Sequence, residues 1–184
     1  FDRLLPLKKH EGKKKFENFI PNQRNALLVS SRFSQSLQRS VVDIIDLNGF
    51  EVLHTYKHDI VEMHKQVKNI KLFPNINVVH SPYKFRYFDP IIMNDGSLLS
   101  HNYKGPLFKI DFCSNLQWIN DDQKFHHTNS LDRHGNVWLG VTLNPQSKYI
   151  SKYSIKEYED DAIANVDPNG NLLYTKSVNE LLIE

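Results

Sequence analysis

Phe125-His126-His127-Thr128-Asn129-Ser130-Leu131-Asp132-Arg133-His134-Gly135-Asn136-Val137-Trp138-Leu139 reads as a β-hairpin. Asp132-Arg133-His134-Gly135 supplies the turn. An aspartate there accepts a hydrogen bond from its own backbone two residues on, and the glycine takes a positive φ. Ser130 and Leu131 lead in, and Val137, Trp138 and Leu139 lead out with side chains that suit a strand. Neighbours along a strand point to opposite faces. His127 and Asn129 are therefore expected on one face and His126 on the other.

Outward from this hairpin the same device recurs. Residues 26–30 form a strand. Residues 41–46 pair across Leu47-Asn48-Gly49 with 50–56, and 90–93 pair across Asn94-Asp95-Gly96 with 97–101. Residues 107–111 pair across Phe112-Cys113-Ser114 with 115–119, and 161–166 pair across Asp167-Pro168-Asn169-Gly170 with 171–174. The turns repeat as Asp46-x-x-Gly49, Asp132-x-x-Gly135 and Asp167-x-x-Gly170, with Asp111-x-x-Ser114 as a degenerate copy. Regular hairpins of this kind indicate radial or stacked β repetition. Grouped in pairs they give units at 25–57, 76–121 and 126–175, each about the size of a four-stranded propeller blade. The expected fold is all-β, a segment of about three blades. A ring needs roughly four to eight, so further blades or a second copy would have to complete it.

Two segments depart from the pattern. Residues 57–69 place Ile60, Met63, His64 and Val67 at helical spacing, which predicts an amphipathic helix. Residues 177–184 open on Ser177 with Glu180 three positions later, a capping signature for a short closing helix. Residues 1–24 carry Lys8, Lys9, Lys13, Lys14 and Lys15 and read as a basic arm or linker.

Composition narrows the function classes. The 184 residues suffice for one domain with a core, and 40% hydrophobic content suits a folded chain. Eleven Phe, eight Tyr and two Trp fit a β-rich interior. A net charge of +2 gives no ground for a nucleic-acid partner. No stretch reaches the ~18 apolar residues of a membrane span. Cys113 is the single cysteine, so neither an internal disulfide nor a multi-cysteine metal site can form. The chain opens on Phe1 rather than Met and closes in the apolar run Leu181-Leu182-Ile183, and we read it as a piece of a longer protein.

His127-Thr128-Asn129-Ser130, followed by Asp132-x-x-Gly135-Asn136-Val137-Trp138, resembles the arylsulfotransferase family of β-propellers. Gly105-Pro106-Leu107-Phe108-Lys109-Ile110-Asp111 with Trp118 after it, and Asp160-Asp161-Ala162-Ile163 before Asp167-Pro168-Asn169-Gly170, carry the resemblance across residues 25–184. It implies a six-bladed propeller with its active site at the central channel. It implies transfer of a sulfuryl group from an aryl sulfate to a phenol through a sulfohistidine, without a nucleotide donor or other cofactor. It also implies a periplasmic or secreted setting. On this reading His127 is an active-site histidine on an inner strand, and Asn129 holds the local geometry. One feature departs from the family. An arginine is expected on the strand leaving the hairpin, where this chain has Leu139-Gly140-Val141-Thr142; a similar phrase, Ser30-Ser31-Arg32, lies in the first unit.

Sulfuryl transfer asks for a neutral imidazole as nucleophile and fixed donors for sulfonate and phenolate oxygens. The catalytic candidates are His127 and His126. The substrate-binding candidates are Asn129, His80, His101, Arg86 and Arg32, arginine offering paired donors to a tetrahedral oxyanion. Zinc on His126, His127, His134 and His80 is disfavoured, because adjacent strand residues diverge and no His-x-His phrase occurs. No Ser-His-Asp order or glycine-rich phosphate loop is present. Two further readings stay open: a non-catalytic propeller that binds a ligand or a protein, its histidines structural, and a propeller hydrolase or lyase acting on another anionic aromatic compound.

Overall fold

The computed structural model describes residues 24–148, 150 and 158–183. Its local logic is the aspartate turn. Asp132 Oδ1 accepts from the main-chain N–H groups of His134 (2.8 Å) and Asn136 (3.0 Å), and Gly135 sits at φ 80°. Asp167 repeats the arrangement with Asn169 (2.9 Å) and Asn171 (2.8 Å). Asp46 holds Gly49 at 2.7 Å and Asp111 holds Asn115 at 2.7 Å. In the degenerate copy Ser114 takes the left-handed conformation itself, at φ 69°.

These turns close antiparallel strands. β1 (Leu27–Ser34), β2 (Arg39–Asp46) and β3 (Val52–Tyr56) form one three-stranded sheet. β4 (Phe88–Ile92), β5 (Leu98–His101), β6 (Gly105–Ile110), β7 (Leu116–Leu131), β8 (Val137–Thr142), β9 (Asp161–Val166) and β10 (Leu172–Ser177) form a seven-stranded sheet paired in chain order. The described chain is thus mostly β, and no sheet closes on itself.

The sequence expectation separated the strand at 115–119 from the arm at 126–131. The structure joins them in β7. Its first half pairs with β6, Lys109 opposite Trp118 and Leu107 opposite Asn120. Its second half pairs with β8, Lys124 opposite Thr142 and Leu131 opposite Val137. A bulge at the junction brings Phe125 opposite Gly105. One strand serves two neighbours because the residues between the halves stay extended rather than forming a loop.

Contacts sort the connections into two ends. Asp121 Oδ2 accepts from the N–H groups of Lys68 (2.5 Å) and Asn69 (2.7 Å), Asn144 N–H donates to Gln123 (3.0 Å), and Lys104 pairs with Glu159. The long connections therefore gather together. The turns at Asp132 and Asp167 adjoin, a Cβ on Gly135 lying 3.6 Å from Pro168, and Trp118 Nε1 donates to the Pro168 carbonyl at 3.1 Å.

α1 (Ile60–His64) is capped by Asp59, whose carboxylate accepts from Val61 N–H at 2.9 Å. Its buried residues are the expected Ile60, Met63 and His64. It stops short of the expected 57–69: past His64 the backbone tightens into i→i−3 turns, Gln66 N–H to Met63 O and Val67 N–H to His64 O, and Asp121 then accepts from the backbone at Lys68 and Asn69. A short α2 (Ile76–Val79) was not anticipated, and α3 (Val178–Ile183) closes the chain after Ser177, whose Oγ accepts from Asn179 N–H at 3.2 Å. Of the expected 1–24 arm, only Arg24 falls within the described residues.

Two apolar clusters hold the sheets. Val42, Tyr56, Ile60, Met63, Phe85, Leu98 and Phe108 join the small sheet and α1 to β5 and β6. Leu99, Leu107, Phe125, Val137, Val141 and Ala164 lie on the other side. Leu98 and Leu99 are adjacent yet belong to different clusters, so β5 is buried on both faces. Among the described residues no helix is long and apolar enough to cross a membrane.

Candidate functional site

The histidines of β5 and β7 meet at a backbone irregularity. Between His126 and Ser130 the pairing of β7 with β8 shifts register, and His127 takes φ 62°. Strict alternation fails there. His126 and Asn129 are both buried, whereas His127 and Thr128 are exposed. The expectation that His127 and Asn129 share a face is corrected by this bulge, which re-aims the side chains around the extra residue.

Buried groups from neighbouring strands hold the irregular backbone. His101 is fully buried, and its Nε2 lies 3.0 Å from the His127 carbonyl oxygen. Asn129 Nδ2 donates at 2.8 Å to the carbonyl of Asp89, itself a non-glycine residue at φ 36° on β4. Two adjacent strands therefore carry left-handed, exposed residues, Asp89 and His127, each with its carbonyl tied down by a buried side chain.

From His101 a chain of contacts runs both ways. Its Nδ1 lies 3.0 Å from the Asn102 carbonyl oxygen, and Asn102 Nδ2 donates to His80 Nδ1 at 2.5 Å. Asn102 Oδ1 accepts from the main-chain N–H groups of Tyr103 (2.9 Å) and Arg86 (3.4 Å). In the other direction the His127 and His126 rings stand edge to face with centroids 4.5 Å apart. His126 Nε2 lies 3.4 Å from Asp161 Oδ1, and among the described residues neither ring nitrogen of His126 has a hydrogen-bond partner. Gly140, opposite His126 in the pairing, makes room for it: a Cβ there would stand 3.1 Å from His126 Nδ1.

Burial disfavours the charged imidazolium. It holds His80, His101 and His126 below the ordinary histidine value. For His126 the nearby His127 adds to the lowering and Asp161 opposes it. The ladder thus offers uncharged imidazoles near neutral pH.

Five of the seven candidates, His80, His101, His126, His127 and Asn129, come together here. Arg86 adjoins through its backbone, but its guanidinium is turned to local carbonyls, Phe85 O at 2.7 Å and Tyr83 O at 3.0 Å, and lies over the Phe33 ring at 5.5 Å. Arg32 stands apart on β1, its Nε donating at 2.5 Å to the buried Asp43 carboxylate, which also accepts from Thr55. Asn102, Asp89 and Asp161 were missed by sequence reasoning. Asn102 directly follows a candidate histidine at a strand end, the one local signal that could have raised it. Among the described residues no three His, Cys, Asp or Glu side chains cluster as metal ligands.

No protein-family model matches this sequence. No curated protein matches it either.

Proposed function

We propose that this chain forms consecutive blades of a β-propeller and serves histidine-dependent transfer of a sulfuryl group from an aryl sulfate to a phenol. Support for the blade reading comes from strand order. β1 runs beside β4, and the second half of β7 also runs beside β4. Each would be the inner strand of its unit, and β7 would carry the outer strand of one unit into the inner strand of the next. The contacts among the long connections and between the Asp132 and Asp167 turns agree with radial repetition.

The observation that carries the chemistry is the ladder His80–Asn102–His101–His127–His126, with the exposed imidazole of His127 at its open point. In the reaction an imidazole nitrogen lone pair attacks sulfur and the S–O bond to the aryl group breaks. The aryl oxygen leaves as phenolate and takes a proton. The acceptor phenol then attacks sulfur as it gives up its proton, and the S–N bond breaks to return the imidazole. Asn129 and His101 act on backbone carbonyls, positioning His127 rather than touching substrate. Periplasmic or secreted location, an aryl sulfate donor and a phenolic acceptor belong to this reading, as does completion of the ring by further blades or a second copy.

The test is acceptor-dependent release of 4-nitrophenol from 4-nitrophenyl sulfate by wild type, His127→Ala and His126→Ala. Loss of release in His127→Ala with an unchanged circular dichroism spectrum is the expected result. Release that persists in both variants would remove these histidines from the chemistry. A second reading, a non-catalytic binding propeller, is favoured by one observation: the guanidinium groups of Arg32 and Arg86, both exposed residues, are already held by the Asp43 carboxylate and the Phe85 carbonyl.

A further inference from the structure

Beside the ladder, on the end of the sheet that gathers the long connections, two adjoining clefts of about 340 and 310 Å³ share Leu72, Pro74 and Lys124. Together they have the size of a small-molecule site. Their chemistry is asymmetric. Phe73, Val79 and Tyr103 wall one part, and Val79 and Tyr103 leave more than half their surface exposed, at 57% and 51%. Lys71, Lys124 and Thr142 line the other, with Lys104 at the Tyr103 side.

The cations outnumber the anions that face them. Lys104 pairs with Glu159 and lies 5.4 Å from the Tyr103 ring centre. Glu159 also feels Lys124, so one exposed carboxylate serves two ammonium groups. Lys71 has no ion pair among the described residues. Asp160 lines the cleft, but its oxygens accept from Ser147 N–H at 2.7 Å and Ser177 Oγ at 2.6 Å, inside the fold. The second observation is Thr142. The residue is 8% exposed, it lines the cleft, and among the described residues its hydroxyl has no hydrogen-bond partner. A buried hydroxyl without a partner costs stability, and a ligand oxygen would relieve it.

We propose that this cleft binds a small organic anion with a flat apolar body, its charged end between Lys71, Lys124 and the Thr142 hydroxyl and its ring against Tyr103 and Val79. Charge-assisted bonds fix the anionic end. The apolar wall supplies the burial that an inorganic anion cannot use. His80 of the ladder lines the apolar part, whereas His127 lines neither cleft, and the inference does not depend on sulfuryl transfer.

The test is isothermal titration of the full chain with 2-naphthoate, a carboxylate that carries no transferable sulfur. Wild type is expected to bind 2-naphthoate at least tenfold tighter than either 2-naphthol, which lacks the charge, or acetate, which lacks the ring. Lys124→Ala, Lys71→Ala and Thr142→Val should each weaken binding by about five- to tenfold, the loss of one charge-assisted or hydroxyl contact. Lys124→Arg should keep most of the affinity and His127→Ala all of it. The lysines stand at the cleft rim, so their variants should retain the wild-type melting temperature. Equal binding of 2-naphthol or of acetate, wild-type affinity in both lysine variants, or loss of binding in His127→Ala would each overturn the proposal.

Discussion

His101 Nε2 stands 3.0 Å from the main-chain carbonyl oxygen of His127, across 26 residues of sequence. The other ring nitrogen, Nδ1, also faces a carbonyl oxygen, that of Asn102 at 3.0 Å. A neutral imidazole has one N–H, so it can donate to only one of the two. Replacing His101 by Leu removes both contacts and leaves the His127 carbonyl without its donor in a part-buried setting. The expected cost is about 1–3 kcal/mol in urea unfolding. Amide exchange at Thr128 should quicken, and His101→Gln, which keeps an N–H donor, should recover part of the loss. Unchanged stability and exchange in His101→Leu would show that the bulge holds without this bond.

His127 itself pays for its backbone. A left-handed conformation costs a non-glycine residue on the order of 1 kcal/mol, and its side chain is exposed. His127→Gly should therefore raise stability by about 0.5–1 kcal/mol while abolishing aryl sulfate turnover. Opposite movement of the melting temperature and of nitrophenol release is the signature of strain kept for a site. A fall in stability would mean that the imidazole packs more usefully than its exposure suggests.

Gly170 is tied to Trp118. A Cβ at Gly170 would lie 2.6 Å from Trp118 Cδ2, and the residue sits at φ 89°. Gly170→Ala should cost about 1–3 kcal/mol through overpacking and backbone strain. Trp118→Ala combined with it should cost less than the sum of the two single changes, since the clash disappears with the indole. Denaturant midpoints of the four proteins measure this, and strict additivity would contradict the contact.

Stability should fall on mild acidification. His64 is buried against α2, and burial takes its imidazole down to about 4 from an ordinary value of 6.5, with the bond its Nδ1 makes to the Asn77 side-chain oxygen opposing and His80 assisting. Between those pH values the unfolded chain holds the proton and the folded chain does not, so protonation favours unfolding as pH drops through that window. His80, His101 and His126 are shifted the same way and steepen the slope. Melting temperatures from pH 7.5 to 4.5 should decline, less steeply for His64→Leu. A flat wild-type profile would contradict the buried, uncharged state of these rings.

Much of the fold was readable from residue order because it is built of local pairs. Asp132 to Gly135 and Asp167 to Gly170 hold their turns with groups two to four residues away, and a hairpin needs little beyond its turn and two strand-forming arms. The helix at Ile60–His64 announced itself by spacing, but the segment that follows it is held at Lys68 and Asn69 by Asp121, far along the chain. The continuity of β7 was hidden for a related reason. Residues 120–125 carry no strong strand signal, and their partners lie on two other strands.

The site divides along the same line. Motif and hairpin pairing placed His126, His127 and Asn129 on one arm of a hairpin and His101 on an arm of another, since side-chain types and hairpin pairing are local properties. Only the tertiary structure decided that His127 faces outward at φ 62° while Asn129 turns inward, and that the guanidinium groups of Arg32 and Arg86 are taken up by the Asp43 carboxylate and the Phe85 carbonyl. Those outcomes rest on bonds from His101, Asp89, Asp43 and Phe85, which reach each residue through space rather than along the chain.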